Sequence, residues 1–233
     1  MKEVSMRMRG HDIARMIDCA GVCGGFSEPE VEELARLARK HRFIGAHVMP
    51  CYVEKLSMLL EGEDDILVGS VVGFPSGAQT TEVKVHEAKQ NLDRGCRELD
   101  MVINVGALRS GKYAYCRDDI KAVVGVAEGK TVKVILETHF LSHDEIKRGC
   151  EIIIEAGAPF VKTSTGWAPT GATLENVALI KAFVGDALHI KAAGGIRDLD
   201  TLLQLHARGA TRFGIGMQSA AKIMEQCADG VRP

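Results

Sequence analysis

The segment FVKTSTG, residues 160 to 166, carries Lys162 in the middle of an apolar run of β character. An ammonium group taken out of water is costly unless it is paired or gives up its proton. Three other runs of the same kind hold a charged residue: Asp100 in ELDMVINVG, Lys133 in VKVILET and Lys191 in HIKAAGG. Two ammonium groups close together in a partly dry cavity disfavour each other's charge, so one of them titrates below the free lysine value of about 10.4. An uncharged lysine amine adds to a carbonyl, giving a carbinolamine and then a Schiff base that acts as an electron sink for an adjacent C–C bond. A carboxylate and a second lysine beside it can relay protons. These are the parts of a Schiff-base aldolase, with Lys162 as the nucleophile.

Such groups act together only if the fold converges them. Short apolar runs predict strands near 15–19, 43–48, 67–72, 98–103, 132–137, 160–164, 188–192 and 211–214. Between them lie PEVEELARLARKH, TTEVKVHEAKQNLDRG, SHDEIKRGCEIIIEAG and TLENVALIKAFVG, whose apolar residues recur at the three- and four-residue spacing of helices. Ser27 with Glu30, and Ser142 with Glu145, have capping-box spacing, and Thr173 offers a third helix start. Gly95, Gly157, Gly185 and Gly209 follow helical runs, where a left-handed residue commonly closes them. Eight strand–helix units with no linker rich in Pro, Ser or Gly predict an α/β chain folded as one (β/α)₈ TIM barrel over residues 1–233.

In a barrel of this kind the chemistry gathers at the carboxyl ends of the strands. Asp100, Lys133, Lys162 and Lys191 fall on strands four to seven, and alternation along each strand lets all four point into one volume. On strand five the same alternation puts Lys133, Ile135 and Glu137 on one face. The competing reading, unrelated ion pairs that fill the barrel, does not explain four such residues on four adjacent strands.

Glycines follow the last strands in STGW (164–167), AAGGIR (192–197) and GIGMQSA (214–220). Exposed N–H groups near helix starts, with Arg197 close by, suit a phosphate or another small anion. GIGMQSA taken alone fails the dinucleotide pattern at Ser219, so the expectation rests on the three loops together. Gly166, Gly194, Gly195, Arg197, Gly214 and Gly216 are the expected anion grip, and Thr163, next to the nucleophile, is assigned to substrate binding. Cys19 and Cys23 lack a partner pair, and His139 with His143 spans a strand-to-helix loop, so no metal site is expected.

Composition narrows the class further. Hydrophobic residues make up 46% and charged residues 26%, an ordinary globular balance. A net charge of −2 gives no general attraction to nucleic acid or anionic lipid. Seven cysteines, several within apolar patterns, predict reduced thiols in a cytoplasmic protein. The charged opening MKEVSMRMRGHDIARM lacks an export signal's apolar stretch, and no run approaches the length of a membrane span.

At VGFPSGAQTTEVKVHEA (72–88), ELDMVINVGAL (98–108), VKVILET (132–138), FVKTSTG (160–166), GAT (171–173), KAAGGIRD (191–198) and GATRFG (209–214) the chain resembles the deoxyribose-phosphate aldolase family of class I aldolases. The resemblance covers residues 66 to 216 or thereabouts. It implies that Lys162 forms the Schiff base, that Lys191 tunes its pKa, and that Asp100 transfers protons with Lys191. Lys133 matches a lysine that lines the family's site, and Asp18 an aspartate of the first strand. The resemblance also implies a (β/α)₈ fold, no metal or organic cofactor, and a homodimer or higher homo-oligomer. The implied reaction joins acetaldehyde to D-glyceraldehyde 3-phosphate reversibly, giving 2-deoxy-D-ribose 5-phosphate, within deoxynucleoside catabolism.

The departures from the family pattern fall where substrate is recognised. CAGVCGG (19–25) replaces a segment that usually bears threonine and leucine, and His47 stands where cysteine is usual. The imidazole of His47 is open to two readings, a part in the proton relay or simple packing. Gly216 and Met217 stand where many members have small hydroxyl residues, Trp167 where phenylalanine or lysine is commoner, and the tail GVRP lacks the tyrosine found in some members. Three alternatives follow: an imine-forming relative with another donor or a non-phosphorylated acceptor, a catalytically silent sugar-phosphate-binding barrel, and a metal-dependent aldolase.

Overall fold

A computed structural model describes residues 8–229; the GVRP tail and the first seven residues of the charged opening lie outside the described residues. Eight parallel strands close into a barrel in chain order: β1 (Ile17–Gly21), β2 (Gly45–Val48), β3 (Leu67–Val72), β4 (Glu98–Val102), β5 (Thr131–Ile135), β6 (Phe160–Lys162), β7 (His189–Ala193) and β8 (Arg212–Gly216). Strand β8 returns beside β1, where Asp18 pairs in register with Gly214. The helices are α1 (Gly10–Ala14), α2 (Glu28–His41), α3 (Val53–Leu59), α4 (Thr81–Asp93), α5 (Val105–Arg109), α6 (Tyr113–Val126), α7 (His143–Ala156), α8 (Leu174–Val184), α9 (Leu199–Ala207) and α10 (Met217–Asp229). This is the (β/α)₈ architecture expected from the sequence.

The two faces of each strand have different partners. Leu99, Met101, Val132, Val134, Val161, Ile190 and Phe213 are buried in the main core against the helix ring. Each fully buried side chain of this size contributes roughly 1.5–3 kcal/mol. The residues between them, Asp100, Lys133, Lys162, Lys191 and Arg212, point into the lumen and are also buried. A strand that is apolar outward and charged inward is what the lysine in each run was signalling. Near the mouth, beside β3 to β5, the lumen is filled instead by a separate apolar cluster of Val71, Phe74, Val102 and Ile135.

Local signals set the helix ends. Glu145 Oε2 accepts from Ser142 N at 2.7 Å, and Ser142 Oγ accepts from Glu145 N at 3.3 Å, so the capping box of α7 forms. Glu30 likewise accepts from Ser27 N at the start of α2, and Thr173 Oγ1 caps α8 through Asn176 N. Gly157 closes α7 at φ 81°. Helix α2 closes without glycine, on Arg42 at φ 56°. Most strand ends shift by one or two residues from expectation, and two of the shifts bear on the site. Strand β1 runs two residues later than predicted, because its small residues Ala20 and Gly21 pair with His47 and Val48 of β2. Strand β5 stops at Ile135, so Glu137 leaves the face it would share with Lys133 and adopts a left-handed conformation at φ 55°.

Candidate active site

The register of the barrel assembles the site. Lys162 pairs directly with Lys191 across β6 and β7, and Asp100 pairs with Lys133 across β4 and β5. Asp100 Oδ2 accepts from Lys162 Nζ at 2.7 Å and from Lys191 Nζ at 2.7 Å. Lys191 Nζ also lies 2.6 Å from Asp18 Oδ2. Deeper in the lumen, Glu98 Oε2 accepts from Lys133 Nζ at 2.7 Å and from Arg212 Nη2 at 2.5 Å, while Arg212 Nε donates to Asp18 Oδ1 at 2.9 Å. His47 Nε2 faces Asp100 Oδ1 at 3.6 Å and Asp18 Oδ2 at 3.8 Å.

Four cations, Lys133, Lys162, Lys191 and Arg212, therefore share three carboxylates, Asp18, Glu98 and Asp100. With Lys162 protonated the cluster holds one positive charge in excess; with Lys162 neutral it balances. Lys162 also has the fewest partners, since among the described residues Asp100 is its sole carboxylate within salt-bridge distance. Burial pushes its amine down to about 8; Asp100 opposes the fall and the Lys191 cation adds to it. Desolvation is thus the first cause, and the cationic neighbour expected to tune the amine assists. Burial would lower Lys191 too, but Asp100 and Asp18 outweigh it and hold that ammonium above its ordinary range. Asp100, which burial alone would raise, is kept well below the usual carboxylate range by Lys162, Lys191 and Lys133.

Above this cluster a cavity of about 440 Å³ opens at the carboxyl ends of the strands. Lys162, Lys191, Asp100 and His47 form its deep wall. Gly166, Gly194, Gly195, Arg197, Gly214 and Gly216, the residues expected to grip an anion, all line it. Gly194 has φ 87°, and a Cβ there would lie 2.7 Å from Ser164 Oγ and 3.0 Å from Gly171 Cα, so only glycine lets the loops after β6 and β7 touch. Strand β8 passes straight into α10, whose first residues Met217, Gln218 and Ser219 line the same cavity. The first N–H groups of a helix have no intrahelical partner, which makes this edge receptive to an anion.

Three residues assigned to substrate binding do not line the cavity. Thr163 points outward from Lys162 and is fully buried, with its Oγ1 donating to Ala193 O and accepting from Ala193 N. Lys133 and Asp18 are fully buried within the ion network and support Asp100 and Lys191 from within the protein. Glu98 and Arg212, which the sequence reading passed over, complete that network. Their signal was alternation, since Glu98 precedes Asp100 by two residues and Arg212 precedes Gly214 by two. At the rim, Trp167 Nε1 donates to Val22 O at 3.1 Å, and its ring meets Phe74 edge-on at 5.6 Å. Glu137 holds the base of that loop by accepting from the N–H and hydroxyl of Thr165.

Asp18, His47 and Glu98 offer donor atoms within 4.8 Å of one another, the spacing a metal ion would need. Lys191, Lys133 and Arg212 already bind those carboxylates, so a divalent cation would have to enter beside three positive charges. Among the described residues, no helix is long and apolar enough to cross a membrane.

Comparison with known proteins identifies the family. The profile of the DeoC/LacD family of aldolases matches residues 25–224. A deoxyribose-phosphate aldolase from Klebsiella pneumoniae is 43% identical over 227 residues, covering 97% of this chain and 91% of that protein. One from Sinorhizobium medicae is 46% identical over 217 residues, covering 93% of this chain and 88% of that protein. The structure of a tetrameric deoxyribose phosphate aldolase from Aeropyrum pernix superposes with a TM-score of 0.87 at 31% identity, over 95% of this chain and 93% of that one. The chain belongs to the DeoC/LacD family of aldolases and is a carbon–carbon lyase.

Proposed function

We propose that the protein cleaves 2-deoxy-D-ribose 5-phosphate reversibly to acetaldehyde and D-glyceraldehyde 3-phosphate through a Schiff base on Lys162. The observation that carries this reading is the Lys162 amine in the deep wall of the cavity, with one carboxylate partner and a pKa lowered to about 8. At neutral pH a fraction of such an amine is uncharged and able to attack the donor carbonyl. Loss of water from the carbinolamine needs a proton delivered to its hydroxyl. Lys191, a held cation sharing Asp100 Oδ2 with Lys162, is the group that gives it. Asp100 keeps both nitrogens in reach and offsets the charge of the iminium. The phosphate of the acceptor lies against Gly194, Gly195, Arg197 and the start of α10.

Acetaldehyde with borohydride should leave an alkylated Lys162, found by peptide mass analysis. An unmodified Lys162 in folded protein at saturating acetaldehyde would overturn the reading. A second reading, a non-phosphorylated or more apolar acceptor, is favoured by Phe26, Trp167 and Met217 in the cavity wall. A strong preference for deoxyribose 5-phosphate over unphosphorylated deoxyribose removes it. A cytoplasmic homo-oligomer fits the seven free cysteines and the tetrameric relative, and light scattering tests the assembly.

A further inference from the structure

Strand β6 ends at Lys162, so the chain beyond it leaves the ladder on its way to the cavity wall. Lys162 and Thr163 are still anchored to both neighbouring strands. Leu136 N donates to Lys162 O at 3.0 Å, Thr163 N donates to Lys191 O at 3.0 Å, and Thr163 Oγ1 bonds the N–H and the carbonyl of Ala193. Thr165 is held differently. Its N–H has no backbone acceptor among the described residues and donates to Glu137 Oε2 at 3.2 Å, and its hydroxyl donates to the same oxygen. Trp167 N in turn donates to Thr165 Oγ1 at 3.0 Å.

Glu137 bears two costs at once. Its carboxylate is buried, and among the described residues every hydrogen bond to it comes from Thr165, none from a cation. Buried carboxylates are ordinarily ion-paired. Its backbone lies at φ 55° and ψ 63°, where a residue with a Cβ is strained. Nothing local offsets either cost: Glu137 precedes a 3₁₀ turn at Thr138–Phe140, and its side chain makes no capping bond there. Strain of this kind persists where surrounding structure enforces it, and it collects at ligand-binding segments. The segment that Glu137 grips is one of these. Thr165, Gly166 and Trp167 line the cavity, and Gly166 abuts the expected anion grip, since a Cβ on Gly194 would lie 3.4 Å from Gly166 Cα.

We propose that Glu137 is a positioning residue for the acceptor aldehyde, holding the wall of Thr165, Gly166 and Trp167 in place through Thr165, an inference that rests on Lys162 forming the donor imine. A threonine hydroxyl has one hydrogen to give. Glu137 takes it, which turns a lone pair of Oγ1 to the Trp167 N–H and sets the course of the loop past Gly166. Lys162 is secured separately, by β5, by β7 through Thr163 and by Asp100. Loss of the Glu137 carboxylate therefore disturbs the acceptor and spares the donor.

Glu137→Gly suits the left-handed backbone and removes only the side chain. In steady-state synthesis its KM for D-glyceraldehyde 3-phosphate should rise about tenfold, the scale of a lost hydrogen bond to a charged group. Borohydride trapping of acetaldehyde on Lys162 should keep the wild-type extent and the wild-type dependence on acetaldehyde concentration. Glu137→Gln retains an oxygen that can accept from Thr165 and should bring KM back to within about threefold of wild type. An acceptor KM within about twofold of wild type in Glu137→Gly overturns the proposal. So does a Glu137→Gln variant as impaired as Glu137→Gly, or a loss of trapping that accompanies the rise in KM. If Glu137→Gly does not fold, Thr165→Val decides, because it removes the hydroxyl link and leaves the Glu137 backbone as it is. It should raise the acceptor KM by about fivefold or more with trapping unchanged, and an unaltered KM overturns the proposal. Failure of trapping in the wild-type enzyme overturns the Schiff-base reading instead.

Discussion

Two buried lysines of this barrel each bind an aspartate and do opposite things. Lys84 of α4 donates to Asp119 Oδ2 at 2.6 Å and to Val102 O at 3.0 Å. Asp119 Oδ1 in turn accepts from Thr81 Oγ1. The stem of Lys84 packs on Gly73, where a Cβ would lie 2.8 Å from Cε, and the side chain is wholly enclosed. One carboxylate meets one ammonium, a carbonyl takes a further hydrogen, and the pair joins α4, α6 and the end of β4. Lys162 makes one carboxylate contact, faces a cavity and carries the unmatched charge of its cluster. Burial is common to both. An open face and an uncompensated charge separate the amine proposed as nucleophile from the structural one.

The strongest way to break this comparison is Lys162→Met. Turnover should fall at least ~10⁴-fold, the scale for removing a nucleophile, in a steady-state cleavage assay. The variant should melt no lower than wild type, since a desolvated charge without a full partner has been removed. Lys84→Met should do the reverse. Leaving Asp119 buried without its cation should cost about 3–5 kcal/mol in urea unfolding, with turnover per folded molecule within about twofold of wild type. Replacing Asp119 with leucine in the same chain should restore most of that loss.

A smaller effect sharpens the contrast. Because the Lys162 amine is uncharged above about 8, imine formation at limiting acetaldehyde should speed up by about tenfold between pH 7 and pH 9 and then level off. Lys84 should remain unmodified across that range in peptide maps. The smallest expected change is Trp167→Phe, which keeps the edge contact with Phe74 but loses the bond to Val22 O. At this exposed site the bond contributes about 1 kcal/mol or less, so KM for the acceptor should rise by no more than roughly fivefold.

The same contrast explains how much could be read from the sequence. Lys162, Lys191 and Asp100 stood out because each interrupts a short apolar strand, and period-two alternation carries them to the lumen. Lys84 did not stand out, because a lysine in an amphipathic helix reads as solvated until α6 is seen to cover it. Glu98 and Arg212 lie at the first residue of their strands, where a charge resembles an end facing water. Thr163 does not reach the cavity, and alternation from Lys162 already turns it outward. The loop bond from Trp167 to Val22 spans 145 residues, and no local pattern encodes it. The eight strands and their order were legible, while their ends depended on which small residues the neighbouring strand accepted.

The Arg212 guanidinium grips Asp18 across 194 residues of chain. A nascent polypeptide holds both Asp18 and Glu98 long before it acquires the guanidinium that bridges them. A ribosome-bound fragment lacking the eighth strand would leave Asp18 Oδ1 without its donor and Glu98 with Lys133 alone, so the network is completed only when the last part of the polypeptide emerges. The charge pattern that suits the interior to chemistry thus also makes completion of synthesis a checkpoint for folding.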